Sequence, residues 1–447
     1  MKMRGLLVAA IALAVVAGLV YWSEKKKKAE EGKPPADAPP KVLTIAEDQF
    51  QQIRMQKAGG GATVVVKGAD NVWKITEPKP LAADKDAVSS LVSTLSSLSS
   101  DRLIEEKAAD LAPYGLNAPG LEVTVGVKGG KSHKLMVGDD TPTGGGVFVR
   151  LDGDPRVFTV SSYVKTSLDK TSKDLRDKRL LTFDSDKLTR VELIAKGFPV
   201  EFGKNNQNEW QVLKPKPLRA DGLQVDELVR KLKDAKMDTS VSDEDAKKAQ
   251  TAFTAGARVA IANVSDATGT QSLEVRKDKD KNYYAKSSVV EGIYKVTGDL
   301  GDGLDKDLDS FRNKKIFDFG WSDPTKVEVR SGGAPVTYQK SGDKWMAGAK
   351  QMDSGSVQSL IDKLRDLASI KFLEQGGGDV AVEATVTSND GKRVEKVAIS
   401  KQGNNYYAKR ENELTVYELD GKVVEELQKA AREVKEYQPP KDEKKKK

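Results

Sequence analysis

Apolar positions along this chain recur at two spacings, and the alternation between them is repeated. Short runs with β-branched residues at alternate positions, such as TVVVK from Thr63 and DKLTRVELI from Asp186, predict half-buried strands. Three longer runs place apolar residues at i, i+3, i+4 and i+7: Val88, Leu91, Val92, Leu95 and Leu98; Val225, Leu228, Val229, Leu232 and Ala235; Val357, Leu360, Ile361, Leu364 and Leu367. Each predicts an amphipathic helix with one buried stripe. A tryptophan strand precedes each helix, in VWKITEPKPLAAD (Trp73), EWQVLKPKPLRAD (Trp210) and KWMAGAKQMD (Trp345), and the three tryptophans are almost evenly spaced. LRDKRLLTFD from Leu175 returns as FRNKKIFDF from Phe311 after nearly the same step. A period this long, with strands and helices inside it, predicts tandem copies of a whole domain.

Two short strands open each copy, and a polar turn (GADN, KNNQNE, SGD) joins them to the tryptophan strand as a hairpin. Four more strand-like runs follow the helix, separated by Gly, Asn and Asp, and a second helix closes the copy, most clearly in GKVVEELQKAAREVKEY. The expected fold is α+β: three diverged repeats of β-β-β-α-β-β-β-β-α, each an antiparallel sheet with packed helices. Repeat 1 spans 42–183, repeat 2 spans 184–320 and repeat 3 spans 321–436. Asp84, Asp221 and Asp353 each stand four residues before the first apolar helix position, where a carboxylate caps the free N–H groups of the first turn. Trp73, Trp210 and Trp345, beside aliphatic residues on alternating strands, are expected in the core. The third copy replaces the proline-rich turn with Ala349, Lys350 and Gln351, so the surroundings of Trp345 are expected to have changed most.

Ahead of the repeats, Gly5 to Ser23 is an unbroken uncharged run with Tyr21 and Trp22 at its far end. As a helix it would span one bilayer core, with an interfacial aromatic belt where the aromatics lie. The Ala-x-Ala patterns lie inside the apolar run, which favours a retained anchor (1–23) over a cleaved signal peptide. Residues 24–41 form a charged, proline-rich linker, and 437–447 a disordered basic tail. Lys2 and Arg4 favour an inside N-terminus while Lys25 to Lys28 argue the reverse, so local charge leaves the orientation open.

The 447 residues carry a net charge of +7, but Lys2, Arg4, residues 24–41 and residues 438–447 hold all of that excess. The folded body is neutral, which excludes the basic face of a nucleic-acid binder. Without cysteine there is neither disulfide nor thiol nucleophile, and with His133 as the only histidine no two-His metal site forms within one chain. VGDDTPTGGGVFV (Val137 to Val149) lacks the GK[ST] ending of a phosphate loop and reads as a hairpin loop. The acidic run Gly298 to Asp309, with Asp302, Asp305, Asp307 and Asp309, departs from the calcium-loop pattern and reads as a charged helix start or loop. No catalytic, cofactor-binding or metal-ligating residue is nominated.

The tryptophan strand with its following proline, PYGLNAP (Pro113 to Pro119) and VFVRLDGDPRVFTV together resemble the bacterial domain of unknown function 4340. The first copy matches best, and the YGL-x-x-P element is missing from the second and third. The resemblance implies an extracytoplasmic protein on one N-terminal anchor, often encoded beside ABC transporters of the gliding-motility auxiliary type, and so turns the body outward. It supplies no catalytic residue. The expected function is a non-enzymatic, inner-membrane-anchored periplasmic scaffold or adaptor working with an ABC transporter or envelope proteins. The alternative is an envelope carbohydrate-binding module or a carboxylate-dependent hydrolase, marked by a deep cleft with convergent Asp or Glu.

Overall fold

Alternating β-branched and polar residues resolve into three large antiparallel sheets of nearly the same strand order. The computed structural model describes residues 40–241, 243–321 and 324–439. The chain divides into two compact units after Lys178, the first holding one large sheet and the second holding two. The expected anchor lies outside the described residues, as do all but the ends of the linker and tail that adjoin the body. Among the described residues no helix is long and apolar enough to cross a membrane.

In the first unit β1 (Lys41–Thr44) precedes β2 (Phe50–Lys57), β3 (Ala62–Lys67), β4 (Trp73–Glu77) and β5 (Leu81–Ala82). Helix α1 (Lys85–Ser96) and the short β6 (Ser97–Ser99) and β7 (Arg102–Glu105) come next. Strands β8 (Leu121–Val127), β9 (Ser132–Asp140), β10 (Gly146–Leu151) and β11 (Val157–Ser161), then helices α2 (Ser162–Leu168) and α3 (Ser172–Leu175), complete it. The sheet runs β5-β4-β3-β2-β8-β9-β10-β11-β7, and β1 pairs separately with β6. Along β8 the alternation is direct: Leu121, Val123 and Val125 are buried while Glu122 and Thr124 stay half-exposed on the other face. The buried face packs on Val88, Leu91, Val92 and Leu95 of α1. Each such aliphatic side chain contributes about 1.5–3 kcal/mol on burial.

The second unit repeats this layout. Strands β12 (Arg190–Ala195), β13 (Phe198–Lys204), β14 (Trp210–Lys214) and β15 (Leu218–Arg219) lead to α4 (Gly222–Lys233) and α5 (Asp243–Ala255). Then come β16 (Ala257–Asp266), β17 (Gly269–Lys277), β18 (Tyr283–Ser287), β19 (Ile293–Val296) and α6 (Gly298–Leu304), in the order β15-β14-β13-β12-β16-β17-β18-β19. The last sheet uses β20 (Lys326–Arg330), β21 (Val336–Ser341), β22 (Lys344–Ala347) and β23 (Lys350–Met352) before α7 (Ser354–Asp366). It continues with β24 (Ser369–Leu373), β25 (Asp379–Ser388), β26 (Arg393–Gln402), β27 (Asn405–Arg410), β28 (Val416–Leu419) and α8 (Gly421–Glu433). Its order is β23-β22-β21-β20-β25-β26-β27-β28-β24, so β24 closes it as β7 closes the first, whereas α5 packs against β18 and β19 in the second. The repeat pattern expected from the sequence lacks these closing elements, because RLIE and SIKFL are too short to show a period.

The three aspartates cap as expected. Asp84 accepts from the N–H groups of Asp86 and Ala87, Asp221 from those of Leu223 and Gln224, and Asp353 from that of Ser356. The landmark after each second helix returns to the tryptophan edge of its own sheet. Isolated bridges join Ala83 to Arg176, Ala220 to Arg312 and Met352 to Glu436. The residues just beyond then enter the next core: Leu180, Leu181 and Phe183 belong to the core of the second sheet, and Ile316, Phe317 and Phe319 to that of the third. The sequence boundaries at 183 and 320 assign these residues to the preceding repeat. Their apolar pattern alone does not say which core receives them.

The tryptophans are not equivalent. Trp210 and Trp345 are 8% and 4% exposed, whereas Trp73 is only half-buried at the margin of its core. Trp345 stays buried although its turn has changed. Cis peptides precede Pro78 and Pro215 in the first two turns, while the third turns through Gly348 at φ +60°, a left-handed conformation that glycine adopts freely. Trp210→Ala and Trp345→Ala should each cost about 3–5 kcal/mol. Trp73→Ala should cost visibly less, read as the shift in urea midpoint with hydrogen exchange locating the loosened sheet. Equal losses at all three positions would contradict this ranking.

Candidate functional site

Most of the features singled out in the sequence serve structure. Val137 to Val149 is the β9–β10 connection, closed by Thr141 N–H donating to the Gly146 carbonyl (2.8 Å), with Gly144 and Gly145 at positive φ. His133 sits half-buried on β9. The acidic run forms α6 and a following 3-10 turn. Asp302 there accepts from the Tyr283 hydroxyl, Asp299 pairs with Lys231 (2.8 Å), and Asp307 caps Ser310. PYGL packs against β9: a Cβ on Gly138 would lie 2.1 Å from the Tyr114 carbonyl oxygen, so only glycine allows that approach. Among the described residues no group of three or more His, Cys, Asp or Glu is arranged to hold a metal ion.

Polar groups converge instead inside the second unit, between its two sheets, on the segment Phe311–Phe319. The segment pairs first with β15, where Asn313 N–H donates to the Arg219 carbonyl (3.0 Å). It then pairs with the third sheet, where Ile316 N–H donates to the Leu367 carbonyl (3.0 Å). Asp318 is thereby held between them. Arg219 Nη1 donates to Asp318 Oδ2 (2.6 Å), Arg219 Nη2 to the Lys315 carbonyl (2.6 Å) and to Tyr417 Oη (3.2 Å), and Arg219 Nε lies 3.1 Å from Glu413 Oε1. Asn313 Nδ2 donates to Asp318 Oδ1 (2.8 Å). From β26, Arg393 donates to the Asp318 carbonyl (2.8 Å) and to Glu209 Oε1 (2.6 Å), tying the β13–β14 turn to the third sheet. Arg410 donates to Glu395 Oε1 (3.1 Å) and Glu413 Oε1 (2.7 Å), and also to the Ile316 carbonyl.

A cleft of about 600 Å³ opens beside this network, lined by the Asn205–Gln211 turn and strand, the start of α4, and Arg393 to Glu395. That volume lies within the roughly 300–1,000 Å³ of small-molecule sites. Trp210 borders it with its indole N–H donating to Asp226 Oδ1 (2.7 Å) and Lys204 over its ring. It is therefore a buried wall and not an open stacking platform. Glu395 is 5% exposed; its Oε1 accepts the Asp318 N–H (2.7 Å), while its Oε2 is buried with no partner in the chain. Burial pushes the Glu395 carboxyl above the ordinary glutamate range, and the Asp318 charge adds to this against the pull of Arg410. Burial opposes the charge on Arg219, but Asp318, Tyr417 and Glu413 outweigh it and hold the guanidinium firmly protonated. Tyr417 is raised chiefly by its burial.

None of Arg219, Asp318, Arg393, Glu395 or Arg410 is nominated by the sequence, yet aligning the copies exposes a signal. Arg219 stands where the first copy has Ala82 and the third Gln351, next to the bridged Ala83, Ala220 and Met352. Glu395 occupies the register position of His133 and Gln271, since His133 pairs with Val125, Gln271 with Val264 and Glu395 with Val386. In the second sheet Gln271 Oε1 accepts the Thr182 N–H (2.8 Å), the same bond that Glu395 makes to Asp318. Charge has replaced neutral residues at one junction.

A family model described as Domain of unknown function (DUF4340) matches residues 73–217 and again residues 210–386. Both matches begin on a tryptophan, so the chain carries the domain in tandem. No curated protein and no solved structure gives a match.

Two carboxyls give opposite pH behaviour. The folded-state pKa of Glu395 is raised, so its contribution is present below the ordinary glutamate pKa of about 4.3 and lost as pH climbs through the folded value. Glu201, 6% exposed, is desolvated too, but Lys214 (2.9 Å) and Arg190 outweigh burial and lower it. Its contribution is present above that pKa and lost as pH falls. Between about pH 3 and 7, Glu395→Gln should therefore gain stability relative to the parent as pH rises, and Glu201→Gln should lose it. Urea denaturation across that range checks both; parallel slopes would contradict the assignment.

Proposed function

This chain belongs to the DUF4340 family, and on that premise we propose that it is a non-enzymatic scaffold or adaptor. It is tethered to the bacterial inner membrane by the apolar run Gly5 to Ser23, with its body outside the cytoplasm, and acts with an ABC-type transport or envelope system. Its finer architecture is three diverged copies of one unit, starting near residues 41, 179 and 315, carried on a proline-rich spacer. The observation that carries this reading is the repetition: three sheets of shared order, each closing its own aliphatic core. Such a chain presents successive similar surfaces to a partner.

The cleft in the second unit speaks against the hydrolase alternative. Glycoside hydrolysis requires two carboxyl groups free to act on the scissile bond. Of the carboxyls lining the cleft, Asp226 is held by Trp210, Asp318 by Arg219 and Asn313, and Glu209 by Arg393. Among the buried side-chain oxygens of these carboxyls, Glu395 Oε2 alone lacks a hydrogen-bond partner. The cleft favours binding over bond cleavage.

Two measurements test the proposal. A C-terminal alkaline phosphatase fusion should be active in cells and a C-terminal green fluorescent protein fusion dark; the reverse pair would put the body in the cytoplasm. Crosslinking in membranes followed by reciprocal purification should recover subunits of one ABC-type transporter or envelope complex with the chain as bait and as prey. Repeated recovery of the chain alone would remove the adaptor role.

A further inference from the structure

The comparison between Gln271 and Glu395 points past the scaffold reading. At the same register position, Gln271 uses both ends of its amide on one residue: Oε1 accepts the Thr182 N–H (2.8 Å), and Nε2 donates to Thr182 Oγ1 (3.4 Å). Glu395 keeps the first bond, to the Asp318 N–H, but the residue it meets is now an aspartate. Asp318 uses one carboxylate oxygen for Arg219 and the other for Asn313, and has no hydroxyl to offer. The second oxygen of Glu395 is thus left buried and unbonded on a residue that lines the cleft, where its desolvation is not repaid. A buried polar atom left unmatched in this way is uncommon in native proteins and calls for a physical reason.

The rest of the lining restricts what that is. Arg219 is matched by Asp318 and Glu413, Arg393 by Glu209, and Arg410 by Glu395 and Glu413. With its cations already paired, the cleft offers no spare charge to an anionic ligand, and its lining carboxylates are engaged as described. What remains are the buried Arg219 Nε–H, which has no hydrogen-bond partner, the exposed amides of Gln207 and Asn208 on the turn and of Gln211 on β14, and Val394, which is 62% exposed at the rim. Amides and a carboxyl oxygen suit hydroxyls, which both donate and accept, and an exposed aliphatic suits the C–H face of a sugar ring.

We propose that the cleft between the second and third sheets binds a neutral oligosaccharide, one of whose hydroxyls donates to Glu395 Oε2 while Gln207 and Asn208 bond its neighbours. The site stands independently of the scaffold role. A chain that binds sugar without an ABC partner, or a partner without sugar, separates the two.

Isothermal titration of the full chain, in a detergent free of sugar groups, tests it with maltotetraose and chitotetraose as separate arms. One arm should show saturable binding, and which one distinguishes a plain glucan from an N-acetylated, cell-wall-like strand. Val394→Trp blocks the mouth from an exposed position outside the core and should weaken that binding at least about tenfold, equivalent to roughly 1.4 kcal/mol. Gln207→Ala combined with Asn208→Gly removes both amides, and glycine accepts the φ of +63° that Asn208 adopts, so the turn survives. This variant should lose affinity similarly, and it serves as a second reading should Val394→Trp misfold. Absence of binding in both arms overturns the proposal. So does binding unaffected by the variants, or saturable binding of the succinate dianion in place of both sugars.

Discussion

One aspartate per copy turns an edge strand into a helix and also holds the end of the copy in place. The main-chain N–H of Asp84 donates to the Leu175 carbonyl, that of Asp221 to Phe311 and that of Asp353 to Lys435, all at 2.8–2.9 Å. The carbonyls of the same residues receive the first helical bonds, from Val88, Val225 and Val357, and their carboxylates cap the N–H groups that the helix leaves free. Three separate needs meet at one residue. The edge beyond β5, β15 and β23 would otherwise expose unpaired backbone groups. The returning strap covers it, and the cap fixes the angle at which the apolar helix stripe meets the sheet.

The strap also explains how one copy hands the chain to the next within the second unit. Arg312 bridges to Ala220 on the tryptophan edge of the second sheet, and three residues on Lys315 bridges to Ala368 of the third. A strand that closes one sheet and then opens another leaves almost no slack, so the side chains around it must be settled locally. At this junction the settling is ionic: Arg219, Arg393 and Arg410 surround Asp318. A bare Asp318 at that depth would be costly; Arg219 and Asn313 hydrogen-bond its two carboxylate oxygens, Arg410 adds its charge at 3.6 Å, and Arg393 holds the Asp318 main-chain carbonyl.

How much of this was legible in the sequence follows from the range of each interaction. The helix stripes, the capping aspartates and the strands from Leu121 to Ser161 and their counterparts depend on spacings of a few residues, and they are found where the periodicity put them. The repeat itself was legible because Trp73, Trp210 and Trp345 mark one strand. What the period did not carry was burial: the same tryptophan is a margin residue in the first sheet and a core residue in the other two. Nor did it carry the closing strands β7 and β24, whose pairing with β11 and β28 rests on tertiary contact and not on pattern. The ionic junction was the least legible part, since Arg219 and Glu395 come from different copies, far apart along the chain, and neither belongs to a motif.

Divergence, and not the shared pattern, therefore marks the junction at which this molecule departs from its own repeat. Where the copies agree, as at the caps, the shared residue answers a need of the fold. Where one copy alone departs, the fold already has a neutral solution at that place, shown by Gln271 on Thr182, and the departure needs another reason. Arg219 in place of Ala82, and Glu395 in place of Gln271, bring buried charge into a junction that a glutamine and a threonine can close without it. Replacing a satisfied neutral pair by an ionic one with an orphaned oxygen is not a gain in stability on its face. The change makes physical sense if the junction between the second and third sheets does something that the plain repeat does not, and the cleft beside Glu395 is where the structure leaves room for it.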